Sequence, residues 1–199
     1  IGGKIMGYWA KFCLRIFLSV KINILGKENI INNEKFFIAC SHQSMFETFF
    51  LQTLFNSPVF ILKKELLKIP IFGWYLKKIG SISIERNKTT KENLGFFDEI
   101  LKLINSSNRP LIIFPQGTRL TPDDRSPFKK GASRIYEELK IKCQPVAINS
   151  GYTWPKKGLL IPKKNLTVSI LKPIESGINK EIFLKTLQEN IYLELDSLN

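Results

Sequence analysis

The chain of 199 residues contains one histidine, His42, in the run Ser41-His42-Gln43-Ser44-Met45-Phe46-Glu47. Imidazole is the side chain whose unperturbed pKa puts its charge change near neutrality, so its pairing with a carboxylate points to proton transfer. If Glu47 accepts the Nδ1 proton of His42, the tautomer is fixed and Nε2 is left as a general base. Residues five apart lie on different faces of an ideal helix. The pair can meet only if His42 precedes the helix and Glu47 lies in its first turn. A plainer reading stands beside this one: Glu47 caps its helix and His42 is a hydrogen-bonded histidine at a strand end.

The flanking residues favour that geometry. Phe36-Phe37-Ile38-Ala39-Cys40 is an apolar run too short for a helix and reads as a buried strand. Ser44 with Glu47, followed by Phe49, Phe50, Leu51 and Leu54, is a capping-box signature. Further along, Pro58-Val59-Phe60-Ile61-Leu62 reads as a strand ending at Lys63 and Lys64. Residues 66–78, broken by Pro70 and Gly73, read as two short helical pieces exposing Ile71, Phe72 and Trp74. Gly80-Ser81-Ile82-Ser83-Ile84-Glu85-Arg86 alternates with period two and delivers Arg86 to a strand end. Thr89 and Glu92 form a second capping box, opening a helix to about Ile104. Leu111-Ile112-Ile113-Phe114 is a strand broken by Pro115-Gln116-Gly117-Thr118-Arg119. Residues 131–140 read as a helix, 145–148 and 166–171 as strands, and an amphipathic helix follows Asn179. Apolar strands alternating with helices predict an α/β fold with a largely parallel central sheet flanked by helices. In such sheets ligands gather at the carboxyl ends of strands, where His42, Lys63, Arg86 and Arg119 all fall.

Composition narrows the partners. A net charge of +13 and a pI near 9.7 suit nucleic acid, an anionic membrane or an acidic substrate, or a surface solvated by lysines. Cys13, Cys40 and Cys143 are odd in number and widely spaced, which predicts reduced thiols rather than a disulfide frame or a metal site. There is no G-x-S-x-G elbow, phosphate loop, dinucleotide fingerprint or metal-spaced cluster, so a serine hydrolase, NTPase, dinucleotide enzyme or zinc enzyme has no support.

Residues 5–20 form a strongly apolar helical pattern with Tyr8, Trp9, Phe12, Ile16 and Phe17, and Lys4, Lys11 and Arg15 share one stripe. No charge-free run reaches the roughly 18 to 20 residues a membrane span needs. Two readings remain: an interfacial helix on an anionic bilayer, or a helix packed on its own domain. Residues 1–22 are thus expected to be a membrane-associating helix and 23–199 the functional domain. The chain opens on Ile1 rather than methionine, and we expect sequence upstream of it.

Four blocks in order resemble the glycerolipid acyltransferase family, specifically the bacterial 1-acyl-glycerol-3-phosphate acyltransferases. His42-Gln43-Ser44-Met45-Phe46-Glu47 is similar to its H-x4-D/E block, and Gly80 to Arg86 to its second block, which ends in a phosphate-binding arginine. Phe114-Pro115-Gln116-Gly117-Thr118-Arg119 is similar to its F-P-E-G-T-R block, and Gln144-Pro145-Val146-Ala147-Ile148 to its proline-bearing fourth. The resemblance covers roughly residues 23–173. Two positions depart from it: Glu47 stands in place of the commoner aspartate, and Gln116 in place of the usual glutamate.

The resemblance implies transfer of a fatty acyl group from a thioester to the 2-hydroxyl of lysophosphatidic acid, giving phosphatidic acid. His42 would be the base and Glu47 its orienting partner. Arg86, Arg119 and Lys63 would hold the phosphate, with Gln116, Gly117 and Thr118 forming the substrate-contacting and oxyanion region. No cofactor is implied; the co-substrate would be acyl-CoA or an acyl carrier protein thioester. The expected setting is the cytoplasmic face of a membrane, the bacterial inner membrane. The same chemistry on another lyso-lipid is the alternative. A non-catalytic basic nucleic-acid binder is the rival from another class, but the aromatics lie in apolar runs rather than interleaved with basic residues.

Overall fold

A computed structural model of the protein describes residues 2–70, 72–84 and 94–198. Six helices are described, α1 (Gly2–Leu18), α2 (Phe46–Leu54), α3 (Phe72–Lys78), α4 (Leu94–Ser106), α5 (Gly131–Leu139) and α6 (Lys180–Ser197). Seven strands form one sheet: β1 (Lys21–Leu25), β2 (Phe36–Cys40), β3 (Val59–Lys63), β4 (Ile82–Ile84), β5 (Leu111–Ile113), β6 (Lys142–Ile148) and β7 (Asn165–Ile170). Their order is β1-β7-β6-β2-β5-β3-β4. From β6 to β4 every pairing is parallel; β7 runs antiparallel to β6, and β1 is parallel to β7.

This reversal sets which ends of the chain meet. The carboxyl ends of β2, β3, β5 and β6 share one end of the sheet, and at that same end β7 and β1 begin. The carboxyl end of α1, joined to β1 through Ser19 and Val20, therefore lies there as well.

Alternation along the strands divides the core into two layers. Phe37 and Ala39 of β2 face one side, packing with Phe96, Ile100 and Ile104 of α4 and with buried residues of α5 and α6. Ile38 and Cys40 face the other, with Leu14 of α1 and Phe46, Phe50 and Leu51 of α2. Both faces of the sheet are covered, which is why its strands read as apolar runs. Burying an aliphatic or aromatic side chain contributes about 1.5–3 kcal/mol, so these two layers hold most of the folding energy.

Several expectations are adjusted. The N-terminal helix ends at Leu18, not Val20, because Ser19 turns into the left-handed region at φ 51. The edge strand β1 was not expected, although Ile22 and Ile24 alternate with Lys21, Asn23 and Leu25. The segment 66–78 does form two pieces, a 3-10 turn over Lys64–Lys68 and then α3. Asn179 caps α6, its side chain accepting from the Glu181 and Ile182 amides at 2.8 and 3.2 Å. Arg86, Ile71 and the Thr89–Glu92 capping box lie outside the described residues.

Candidate active site

His42 sits in the turn between β2 and α2, outside the helix as the spacing requires. Its Nδ1 lies 3.6 Å from Glu47 Oε2, with the His42 side chain 16% exposed and Glu47 fully buried. Among the described residues, Nδ1 has no other hydrogen-bond partner. The 3.6 Å separation is slightly longer than a hydrogen bond, as is common for such pairs before substrate binds. A carboxylate only accepts, so the nitrogen facing it carries the proton and Nε2 does not.

Glu47 is more than a helix cap. Its Oε1 accepts from the Gln43 and Ser44 amides, both at 3.0 Å, and from the Ser150 hydroxyl. Its Oε2 accepts from the Ser44 amide at 3.1 Å and the Ser44 hydroxyl at 3.2 Å. Ser44 Oγ meanwhile accepts from the Phe46 amide rather than the Glu47 amide, so the expected capping box is only half formed, with Glu47 alone reaching back. Burial pushes the Glu47 carboxyl up, yet His42 and the donors from Ser150 and Gln43 outweigh it and hold the group below the ordinary carboxylate range. Cys40, close by, is driven well up by burial and by the Glu47 charge. It is a core thiol rather than a nucleophile.

The segment after β5 grips the backbone of the base. Gln116 Oε1 accepts from the His42 amide at 2.8 Å, and the Leu120 amide donates to the His42 carbonyl at 2.9 Å. The imidazole stacks on Phe114, centroids 3.9 Å apart and planes within 17°. From β6, Ser41 Oγ accepts from the Ile148 amide at 2.8 Å, and the Gly151 amide donates to Gln43 Oε1 at 3.0 Å. Main chain, ring plane and Nδ1 are thus each fixed by a different part of the sheet end.

His42 lines a cavity of about 770 Å³ whose walls include Phe60, Leu62, Tyr75, Leu76, Ile79 and Phe96. Lys63, Gly117, Thr118, Arg119, Lys129 and Arg134 also line it. Among the described residues, no aspartate or glutamate lines it. Among the described residues no cluster of histidine, cysteine and acidic side chains could hold a metal ion.

The expected site residues do not all share one role. His42, Lys63, Gly117, Thr118 and Arg119 reach the cavity together. Lys63 also pairs with Glu65 at 3.0 Å, so its charge is shared. Gln116 is 3% exposed, and its side-chain oxygen is turned to the His42 amide, so it holds the backbone of the histidine. The Gly117 amide donates to the Phe114 carbonyl at 2.9 Å within the turn, which commits it before any oxyanion arrives. Ser150 was missed. It lies two residues past the fourth block, and only its distance in sequence from Glu47 hid it.

The family model described as Acyltransferase matches residues 21–149. The chain belongs to the acyltransferase family. Family members similar to it include the 1-acyl-sn-glycerol-3-phosphate acyltransferase of Pseudomonas aeruginosa, 33% identical over 156 residues, or 75% of this chain and 59% of the relative. The enzyme of the same name from Saccharomyces cerevisiae is 30% identical, covering 82% and 54%. That of Helicobacter pylori is 33% identical, covering 79% and 67%. The chain thus spans between about half and two thirds of these relatives. In fold it matches the 1-acyl-sn-glycerophosphate (LPA) acyltransferase of Thermotoga maritima with a TM-score of 0.80 at 22% identity, over all of this chain and 79% of that one.

Proposed function

We propose that this acyltransferase moves a fatty acyl group from a thioester to the 2-hydroxyl of 1-acyl-glycerol-3-phosphate, giving phosphatidic acid. The observation that carries the reading is the His42–Glu47 pair beside an apolar cavity that Lys63, Arg119, Lys129 and Arg134 line. The names of the relatives support the acceptor.

In this mechanism Arg119 takes the phosphate through its planar fork, with Lys63 as a point charge and Arg86 as a third cation. The acceptor hydroxyl then lies against Nε2. As its oxygen attacks the thioester carbonyl, the proton passes to Nε2 and Glu47 stabilises the imidazolium. The tetrahedral intermediate collapses, the C–S bond breaks, and the imidazolium returns its proton to the departing thiolate. The products are ester and free thiol, with the enzyme unchanged and no acyl-enzyme formed. A positioned base typically gives roughly 10²–10⁴-fold, the rest coming from orientation and electrostatics. The apolar cavity walls suit an acyl chain.

Contact with a membrane surface belongs to the same proposal, since lipid substrates reside there. Among the described residues no helix is long and apolar enough to cross a membrane. The buried residues of α1 are Gly3, Gly7 and Leu14, while Ile5, Tyr8, Trp9, Phe12, Ile16 and Phe17 are exposed. That apolar face, flanked by Lys4, Lys11 and Arg15, suits the headgroup–acyl boundary of an anionic bilayer, at the cytoplasmic face of a bacterial inner membrane.

The deciding experiment supplies the protein with a panel of lyso-lipids and both acyl-CoA and acyl carrier protein thioesters, following thiol release and lipid product. Lysophosphatidic acid should be the preferred acceptor. Turnover of a phosphate-free lyso-lipid at an equal rate would overturn the acceptor assignment, and no turnover of any acceptor would overturn the reaction.

A further inference from the structure

We infer that the connection between β6 and β7, residues 154–164, is a second membrane-inserting element, seated beside the end of α1 and taking an anionic lipid bilayer. It rests on the membrane-surface reading of α1 but on different residues.

The connection reads Trp154-Pro155-Lys156-Lys157-Gly158-Leu159-Leu160-Ile161-Pro162-Lys163-Lys164: three consecutive large apolar residues between two lysine pairs. No aspartate or glutamate occurs between Glu138 and Glu175. Leu159 is 88% exposed, and Leu160 and Ile161 are exposed as well. Isolated exposed leucines are ordinary, but a contiguous apolar tip ringed by cations marks an interaction surface.

The tip is held outward by its own backbone. Gly158 at φ 97 and Lys163 at φ 56 bracket the triad with left-handed turns. The Ile161 amide donates to the Thr153 carbonyl at 2.8 Å, and the Lys163 amide to the Leu18 carbonyl of α1 at 2.8 Å. The Lys21 amide donates to the Lys164 carbonyl at 3.1 Å, so the segment runs beside the junction of α1 and β1. Trp154 roots it in the same core layer as Leu18. The apolar side chains are therefore exposed on a pinned loop, at little further ordering cost when lipid covers them.

Topology gives the position a purpose. Because β7 reverses against β6, this connection lies at the carboxyl end of β2, where His42 sits, and α1 ends there too. A bilayer touching both elements would face the end of the sheet at which acyl chains must enter. The lysine pairs would meet anionic headgroups while the leucines entered the acyl boundary.

The test places an environment-sensitive dye at position 159 by Leu159→Cys, and separately at position 12 by Phe12→Cys, both with Cys13→Ser. Cys40 and Cys143 are buried and do not compete for label. On vesicles of phosphatidylcholine with phosphatidylglycerol, the dye at 159 should shift to the blue and be quenched by acyl-chain nitroxides. The unlabelled Leu159→Asp/Leu160→Asp variant should float with these vesicles roughly tenfold less well while keeping its thermal unfolding temperature. If position 12 reports lipid and position 159 does not, the loop proposal fails and the α1 reading stands. If neither reports lipid, both fail. Equal flotation of the double variant and wild type also overturns the proposal.

Discussion

Glu47 and Trp9 occupy opposite extremes of burial. The carboxylate is wholly enclosed, whereas the indole is 65% exposed. A buried charge is tolerated only when polar partners replace water, and Glu47 has donors from Gln43, Ser44 and Ser150 with His42 facing it. Trp9 has the reverse difficulty: α1 turns Gly3 and Gly7 inward and its aromatic residues outward. A Cβ at Gly7 would lie 2.5 Å from the Phe49 carbonyl oxygen, so α1 packs on α2 closely because it has no side chain there. One region is satisfied within the chain; the other is the face proposed above to meet a bilayer.

The largest way to break this contrast is at the base. His42→Ala should lower acyl transfer by roughly 10²–10⁴-fold or more, with thermal unfolding and phosphate-ligand binding little changed. Activity within tenfold of wild type would remove His42 from the mechanism. Glu47→Gln should come close to it. The amide would have to present N–H toward donors or toward Nδ1, and an N–H facing Nδ1 holds the ring proton on Nε2, where a base cannot carry it. An unmatched buried donor also costs about 1–3 kcal/mol, so this variant should melt earlier, unlike His42→Ala. Folding holds Glu47 below its ordinary value, so its contribution to stability is full above that value and is lost as pH falls through the depressed one. Glu47→Gln should remove this acid-side loss, measured as melting temperature against pH.

Arg119→Ala comes next: the Michaelis constant for the phosphorylated acceptor should rise roughly ten- to a hundredfold and that for the donor much less. A parallel rise in both would assign Arg119 to the fold or the donor. Ser150→Ala is smaller and sharper. With one donor fewer, the Glu47 carboxyl should rise toward its ordinary range. The acid-side fall of melting temperature should therefore set in at higher pH, and Ser150→Thr should restore it. An unmoved fall would reduce Ser150 to packing. The smallest effect is expected at the basic stripe. Replacing Lys4, Lys11 and Arg15 with glutamine should weaken flotation with anionic vesicles by about 1 kcal/mol per charge and leave turnover of soluble short-chain substrates intact.

Much of the site was legible because its parts are local. Five residues separate His42 from Glu47, and a strand before and a helix after fix how they face each other. Gln116 shows where such reading stops. The resemblance implies a substrate contact there, and in the structure its side-chain oxygen accepts from the His42 amide. That partner is far away in sequence, and the same is true of Ser150 and Glu47. The edge strand β1 was hidden differently: five residues with alternating half-burial are a weak signal until β7 supplies the neighbour.

The clasp around His42 also sets a schedule. Its imidazole stacks on residue 114, its backbone bonds residues 116 and 120, and its carboxylate partner waits for residue 150. Contacts so distant in sequence close late, after the intervening chain has condensed. A growing polypeptide that has emerged only through β5 already carries its histidine and glutamate, but the carboxylate lacks the hydroxyl that helps keep it ionised.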